Sequence, residues 1–239
     1  MTNANDLVGC SKFESDLREA VMEHSMLKHP FYVAWTEGKL SKEVLREYAK
    51  QYYAHVRAFP TYVSGVHSRC EDLSVRQQLL ENLIEEERGA ENHPELWLRF
   101  AEGLGSTREE VQAAELLPST RESVKSLQTL TQRDDYREGL AALLAYESQI
   151  PQVAQTKREG LQEFYGIDDE RAVAFFRVHE SIDVLHQQTE MDILKNSCQT
   201  TADQDKVIAS ARNAARALWN FLDGVTAAYL PTESSSASA

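Results

Sequence analysis

Apolar side chains recur along this chain at i, i+3, i+4 and i+7, the period of helices buried on one face. No alternating run long enough for a strand appears. The spacing predicts helices over 11–27, 41–69, 74–91, 94–104, 106–115, 118–131, 134–164, 168–195 and 202–230. Ser41, Ser74, Ser106 and Asp168 are the expected N-caps, Ser106 with Glu109 at capping-box spacing. Pro60 is expected to kink the 41–69 segment, Pro94 to open a new helix directly after His93, and Pro151 to bend 134–164 just after Glu147. No repeat and no Gly/Ser/Pro linker divides the chain. One all-α domain over 11–230 is the expectation, after a flexible stretch 1–10 and before a Ser/Ala-rich disordered tail 231–239.

Charge narrows the partner classes. The 239 residues carry 25 basic and 38 acidic side chains, a net charge of −13, and no basic patch stands out, which argues against nucleic acid. Some of that acidity is offset if several carboxylates hold divalent cations. No apolar run is long enough to span a membrane, and no secretory signal pattern is seen at the N-terminus. Cys10, Cys70 and Cys198 are far apart and lack CxxC spacing, so neither a disulfide framework nor a zinc–thiolate site is expected, and a reducing cytoplasm fits.

Candidate chemistry concentrates in one predicted helix. His179, Asp183 and His186 stand at i, i+4 and i+7, within an arc of about 60° at about 100° per residue. The flanking stretches, Ala172, Phe175, Phe176 and Val178 before and Met191, Ile193 and Leu194 after, turn that face inward. Two buried imidazoles and a carboxylate need partners, and a metal ion is the natural one. Glu86 and His93 are seven apart, about two helical turns, although a break before Pro94 interrupts that alignment. Glu86 read alone, in Glu85-Glu86-Glu87, belongs to a solvated face, and His93 read alone is an N-cap or surface histidine. Glu147 closes the apolar run Leu143-Leu144-Ala145-Tyr146 and needs either a metal or a salt-bridge partner. Three carboxylates and three imidazoles without a thiolate suit iron or manganese, and two ions bridged by a carboxylate would use all six. The usual pair of Glu-x-x-His motifs of helical-bundle sites is missing.

Glu86-x6-His93, Tyr146-Glu147 and His179-x3-Asp183-x2-His186 together resemble the ligand pattern of the haem-oxygenase-like di-metal oxidases. Within these the chain is most similar to the CADD-like proteins (Chlamydia protein associating with death domains, and bacterial relatives). Glu91-Asn92-His93-Pro94-Glu95-Leu96-Trp97 and Lys28-His29-Pro30-Phe31-Tyr32 carry the likeness further, and it covers roughly 11–230. The resemblance implies a single haem-oxygenase-like bundle of about seven helices (the TenA/PqqC-like fold). It also implies Glu86, His93, Glu147, His179, Asp183 and His186 as ligands to two metal ions, Fe/Fe or Mn/Fe, with dioxygen and an external reductant as co-substrates. It implies no haem: His24, His29, His55 and His67 show no axial-ligand spacing and are read as structural or exposed.

The implied activity is p-aminobenzoate synthesis for the folate pathway, with the chain as its own substrate. On the matching positions Tyr32 is the sacrificed ring and Lys157 the amino donor, with Tyr48 and Tyr146 near the site. Read without the resemblance, Tyr32 in Phe31-Tyr32-Val33-Ala34-Trp35 is a core-packing residue with its hydroxyl hydrogen-bonded. Lys157, between Thr156 and Arg158, reads as an exposed helix residue only marginally aligned with Glu147, whose pKa would fall if it were desolvated near the metals. The competing readings are a di-metal oxidase acting on a free small molecule, a cofactorless PqqC-like oxidase, and a non-enzymatic death-domain-type binding module. The last bears on host proteins only for an intracellular pathogen. A homodimer is left open, and the reductant donor is not named by any motif. A thiaminase-type cysteine nucleophile finds no match among the motifs.

Overall fold

The helical spacing is met by helix throughout the computed structural model, which describes residues 12–230. The expected flexible stretch 1–10 and disordered tail 231–239 lie outside the described residues. The elements are α1 (Lys12–Met22), a 3-10 turn (Met26–Lys28), α2 (Pro30–Thr36), α3 (Lys42–Arg69), α4 (Leu73–Glu87), α5 (His93–Gly103), α6 (Arg108–Gln112), α7 (Pro118–Thr131), α8 (Tyr136–Glu147), α9 (Ile150–Tyr165), α10 (Glu170–Ser197) and α11 (Thr201–Tyr229). No strand forms among the described residues. Among the described residues there are eleven α-helices, more than the expected seven, several of them separated only by short breaks.

Three long helices, α3, α10 and α11, organise the rest. α11 packs on α8, α7 and α1, α10 on α9, α5 and α8, and α3 on α4, α7, α5 and α8. Their shared interior is aromatic: Trp35, Trp97, Tyr32, Tyr48, Tyr62, Phe31, Phe100, Phe176 and Phe221 are all fully buried. Burying a large side chain of this kind contributes on the order of 2–3 kcal/mol. Among the described residues no helix is long and apolar enough to cross a membrane. Cys70 and Cys198 are buried free thiols.

Local chemistry corrects several predicted boundaries. The Ser41 side chain does cap α3, accepting from Val44 N at 3.2 Å, and α3 then runs through Pro60 as one helix. Asp72 rather than Ser74 caps α4, and Asp169 rather than Asp168 caps α10. The capping box is Thr107 with Glu110, one residue later than expected. The helix predicted to reach residue 91 stops at Glu87 because Gly89 takes φ +83°, open to glycine without a Cβ clash. Asn92 then caps α5 by accepting from Glu95 N at 3.0 Å, so His93 is already helical and Pro94 follows it inside the first turn. At Ser148–Gln149 the predicted 134–164 helix breaks outright, ending α8 on Glu147 and restarting at Ile150–Pro151.

The predicted elements omit α2, a seven-residue helix opened by Pro30 at its first turn. Its N-cap is His29, whose Nδ1 accepts from Phe31 N at 3.0 Å. That bond leaves the proton on Nε2, which donates to Asp223 on α11 at 3.0 Å. On its other side α2 lies against α9, where a Cβ at Gly160 would come within 2.7 Å of the Trp35 ring. The missing side chain at 160 lets the two helices approach, and Trp35 Nε1 donates to Lys157 O at 3.3 Å across the contact.

Candidate dinuclear metal centre

Four helices deliver the six expected ligands to one region. Glu86 comes from the last turn of α4, His93 from the first of α5, Glu147 from the end of α8, and His179, Asp183 and His186 from the middle of α10. All are buried except His186, which is partly exposed. The breaks after Glu87 and Glu147 therefore lie beside the buried ligands Glu86 and Glu147.

The six sort into two groups, Glu86–His93–His179 and Glu147–Asp183–His186, each with donor atoms within 4.8 Å of one another. In the first, His93 Nδ1 lies 2.8 Å from Glu86 Oε1 without the alignment of a hydrogen bond. The His93 and His179 ring centroids are 4.4 Å apart. His179 Nδ1 is 2.7 Å from Phe175 O, an atom that only accepts, so this nitrogen carries the proton and Nε2 keeps a free lone pair. Burial holds His179 well below the ordinary histidine range.

In the second group His186 Nδ1 is 3.2 Å from Glu147 Oε1 and 3.8 Å from Asp183 Oδ1. Asn82 Nδ2 donates to the same Glu147 oxygen at 2.9 Å. The outer nitrogen of His186, Nε2, is 2.9 Å from Glu85, so this side of the centre faces the surface. Burial lowers the affinity of His186 for a proton, but Glu147 and Glu85 outweigh it and hold the ring above its ordinary value. Burial pushes the Asp183 carboxyl well up, with the Glu147 charge adding to it, and burial also raises Glu86.

Such a cluster is costly as it stands. Glu147 Oε2, Asp183 Oδ2 and His93 Nδ1 are buried with no hydrogen-bond partner, beside other oxygen and nitrogen donors. Unsatisfied, mutually repelling donors aimed at common points are what cations would satisfy, so the residues fit a pair of metal ions. Between the groups lies a cavity of about 20 Å³, with Tyr52, Val56, Phe59, Ile150 and Phe175 in its lining. That is room for about one water or a diatomic molecule.

A chain of phenols leads away from the cavity. Tyr146, which precedes Glu147, shares a 2.7 Å hydroxyl contact with Tyr52, and the Tyr52 ring stacks on Tyr48 at 5.5 Å. Tyr48 Oη is 2.9 Å from Tyr32 Oη and accepts from Lys157 Nζ at 2.7 Å. The expectation of an exposed Lys157 is overturned: the residue is only 2% exposed. Its Nζ sits in an aromatic cage, 5.4 Å from the Tyr32 ring centroid, 4.7 Å from that of Tyr52 and 5.4 Å from that of Trp97. Burial drives its pKa well below the ordinary lysine value, and burial raises those of Tyr32, Tyr48, Tyr52 and Tyr146.

Four residues beside the ligands were given no role from the sequence. Tyr52 and Asn82 lie on the inward faces of long helices, Glu85 precedes a ligand in the acidic run, and Glu190 is one helical turn past His186. Only Glu190 carried a periodic signal, since 179, 183, 186 and 190 step by four, three and four.

The chain is similar to known proteins in both sequence and fold. The model of a family described as iron-containing redox enzyme matches residues 46–219. The chain is 42% identical over 222 residues to the 4-aminobenzoate synthase of Nitrosomonas europaea, covering 89% of this chain and 90% of that one. It is 41% identical over 211 residues to the 4-aminobenzoate synthase of Chlamydia muridarum, covering 88% and 89%. Among solved structures, a TenA homolog from Pseudomonas syringae pv. tomato superposes with a TM-score of 0.79 at 15% identity, covering 90% and 93%. A domain with a heme oxygenase-like fold from Shewanella denitrificans gives 0.73 at 20% identity, covering 93% and 94%. The expected haem-oxygenase-like fold is therefore the fold observed.

Proposed function

The chain belongs to the iron-containing redox enzymes, a family of oxidoreductases, and on that premise we propose that it makes 4-aminobenzoate with Tyr32 as ring source and Lys157 as amino donor. The single observation that carries this reading is the contact of a buried lysine amine with a buried tyrosine pair, 2.7 Å from Tyr48 Oη and 5.4 Å from the Tyr32 ring centroid. A lysine sealed among aromatic rings adds nothing to packing that methionine would not, so its nitrogen calls for a chemical reason.

Glu86, His93 and His179 would hold one metal ion and Glu147, Asp183 and His186 the other. When bound, the pair supplies activation of dioxygen, and the carboxylate–imidazole donor set suits two irons or manganese with iron. The remaining work falls to the chain. Burial disfavours the charged form of Lys157 and so favours the neutral amine, whose lone pair is the nucleophile. The same burial keeps Tyr32 protonated, so oxidising its ring requires the proton to leave with the electron, and Tyr48 Oη at 2.9 Å is the acceptor at hand. The Tyr52–Tyr146 pair continues the path to the residue beside Glu147. In the conversion the Cα–Cβ bond of Tyr32 breaks, Cα taking a hydrogen and Cβ being oxidised to the carboxyl level; the phenolic C–O bond gives way to C–N with nitrogen from Lys157, whose Cε–Nζ bond breaks as Cε is oxidised to the aldehyde level. Dioxygen is the oxidant, an external reductant supplies the balancing electrons, and the displaced oxygen leaves as water. The small cavity favours the chain as substrate over a free aromatic molecule, for which it has no room.

The test is protein carrying ring-13C tyrosine and 15N lysine, incubated with iron or manganese, air and a reductant. Product bearing both labels, about one per chain, with the mass change confined to Tyr32 and Lys157, is expected. Unlabelled product, or repeated turnover by Tyr32→Phe, overturns the reading.

A further inference from the structure

One buried carboxyl beside the centre belongs to neither ligand group. Glu190 on α10 is 4% exposed, and neither of its oxygens has a hydrogen-bond partner. It follows His186 by one helical turn and Asp183 by two, so it extends the ligand face of α10 inward. Its carboxyl stands against that of Glu147, with Asp183 the next charge. The other buried acids of the centre each have a nitrogen nearby: Glu86 has His93, Glu147 has Asn82 and His186, and Asp183 has His186. The charged groups acting on Glu190 are the acids Glu147 and Asp183.

We propose that Glu190 is a fourth carboxylate of the dinuclear centre, a ligand to the ion held by Glu147, Asp183 and His186. This rests on the di-metal reading and deepens it. Charge supports it: two divalent ions bring four positive charges, against three negative ones from Glu86, Glu147 and Asp183 with neutral imidazoles. A fourth carboxylate closes that balance inside a volume where a residual charge is costly. Satisfaction of donors supports it too, since Glu147 Oε2 and Asp183 Oδ2 of that subsite and both oxygens of the neighbouring Glu190 are all buried without a hydrogen-bond partner. Glu190 neighbours Glu147 rather than joining the compact triad, so it reaches the ion by turning about its own side-chain bonds as the ion loads. The two subsites then differ in kind. One has two imidazoles and one carboxylate; the other has one imidazole and three carboxylates and is the harder of the two.

Metal-free full-length protein titrated with manganese(II), with free ion followed by electron paramagnetic resonance, separates the outcomes. Wild type is expected to take up two ions per chain. Glu190→Gln, which keeps the shape and loses the charge, should bind the first ion as wild type does and the second about 10–100-fold more weakly. His186→Ala serves as the reference for loss of that subsite. Two ions bound by Glu190→Gln with unchanged affinity overturn the role of Glu190 and leave the di-metal reading standing, whereas fewer than two ions in wild type strikes the di-metal reading itself. If the glutamine variant does not fold, the manganese-loaded wild-type crystal structure decides: a Glu190 oxygen within about 2.5 Å of the ion is expected for a hard cation, and an oxygen that stays turned away overturns the proposal.

Discussion

The amine of Lys157 donates to the hydroxyl of Tyr48 across 2.7 Å, inside an interior where both side chains are essentially without solvent. Tyr48 is thereby the only polar atom joining Lys157 to Tyr32 among the described contacts, because its hydroxyl also meets Tyr32 Oη at 2.9 Å. Tyr48→Phe should cut this link and lower 4-aminobenzoate formation by about 10–100-fold, the scale of a small misplacement of reacting groups. It should also cost about 1–3 kcal/mol of stability, since a buried amine and a buried phenol each lose a partner. Metal uptake should be unchanged, as Tyr48 belongs to neither ligand group. Product quantified by chromatography beside elemental analysis of metal content checks both, and an undiminished yield would remove Tyr48 from the reaction.

Lys157 also sets a pH dependence of stability. Burial depresses its pKa in the folded protein, while the unfolded chain keeps the ordinary value of about 10.4. Between the depressed value and the ordinary one, the unfolded chain binds the extra proton. Stability therefore rises with pH through that window, by up to about 1.4 kcal/mol per pH unit from this group. Lys157→Met removes the effect and should be more stable than wild type at pH 7, with a flatter profile and no product. Urea unfolding of metal-free protein from pH 7 to 9 reads the slopes. Parallel profiles for the two proteins would mean the amine is not desolvated.

The ligand set was legible because metal chemistry needs few residue types at helical spacing, and α10 carries half of it in eight residues, His179 to His186. Glu86 and His93 were legible only as a pair across a break, which Gly89 and Asn92 shape. The burial of Lys157 was hidden by counting helical angle from Glu147, a count that the break at Ser148–Gln149 invalidates. Read within α9 alone, Lys157 falls in a buried stripe with Val153, Ala154, Gly160 and Leu161. Helix α2 was missed because seven residues cannot show a period, although the His29–Pro30 start is a capping signal. Glu190 was passed over among Thr189 and Asp192, where a polar side chain looks ordinary.

Metal loading should be visible as stability. Empty, the two groups bury mutually repelling carboxylates, of which Asp183 and Glu86 are raised by burial. Ions that bind only the folded chain add about 2.7 kcal/mol per site at a hundredfold excess over Kd. Removal by a chelator should lower the melting temperature, and added manganese(II) should restore it. His186→Ala should recover only part of that gain, while Glu86→Ala should lose the contribution of the other site. A melting temperature indifferent to both chelator and metal would argue that neither group binds an ion.

The approach of α2 to α9 is the last point at which a single atom decides geometry. A Cβ at position 160 would sit 2.7 Å from the Trp35 ring and 2.8 Å from its Nε1, too close for either to remain in place. Gly160→Ala gains up to about 1 kcal/mol of helix propensity but should lose about 1–3 kcal/mol to overpacking. More telling is where the strain goes. Trp35 and Tyr32 share one short helix, so displacing Trp35 moves the Tyr32 ring relative to Lys157 on α9. Product formation should fall while manganese uptake stays at the wild-type level, because the ligands lie on α4, α5, α8 and α10. Adding Trp35→Leu to Gly160→Ala relieves the clash and should recover stability. Equal activity of Gly160→Ala and wild type would show that the reaction tolerates a shift of α2, and that Tyr32 need not be held against Lys157 before the metals act.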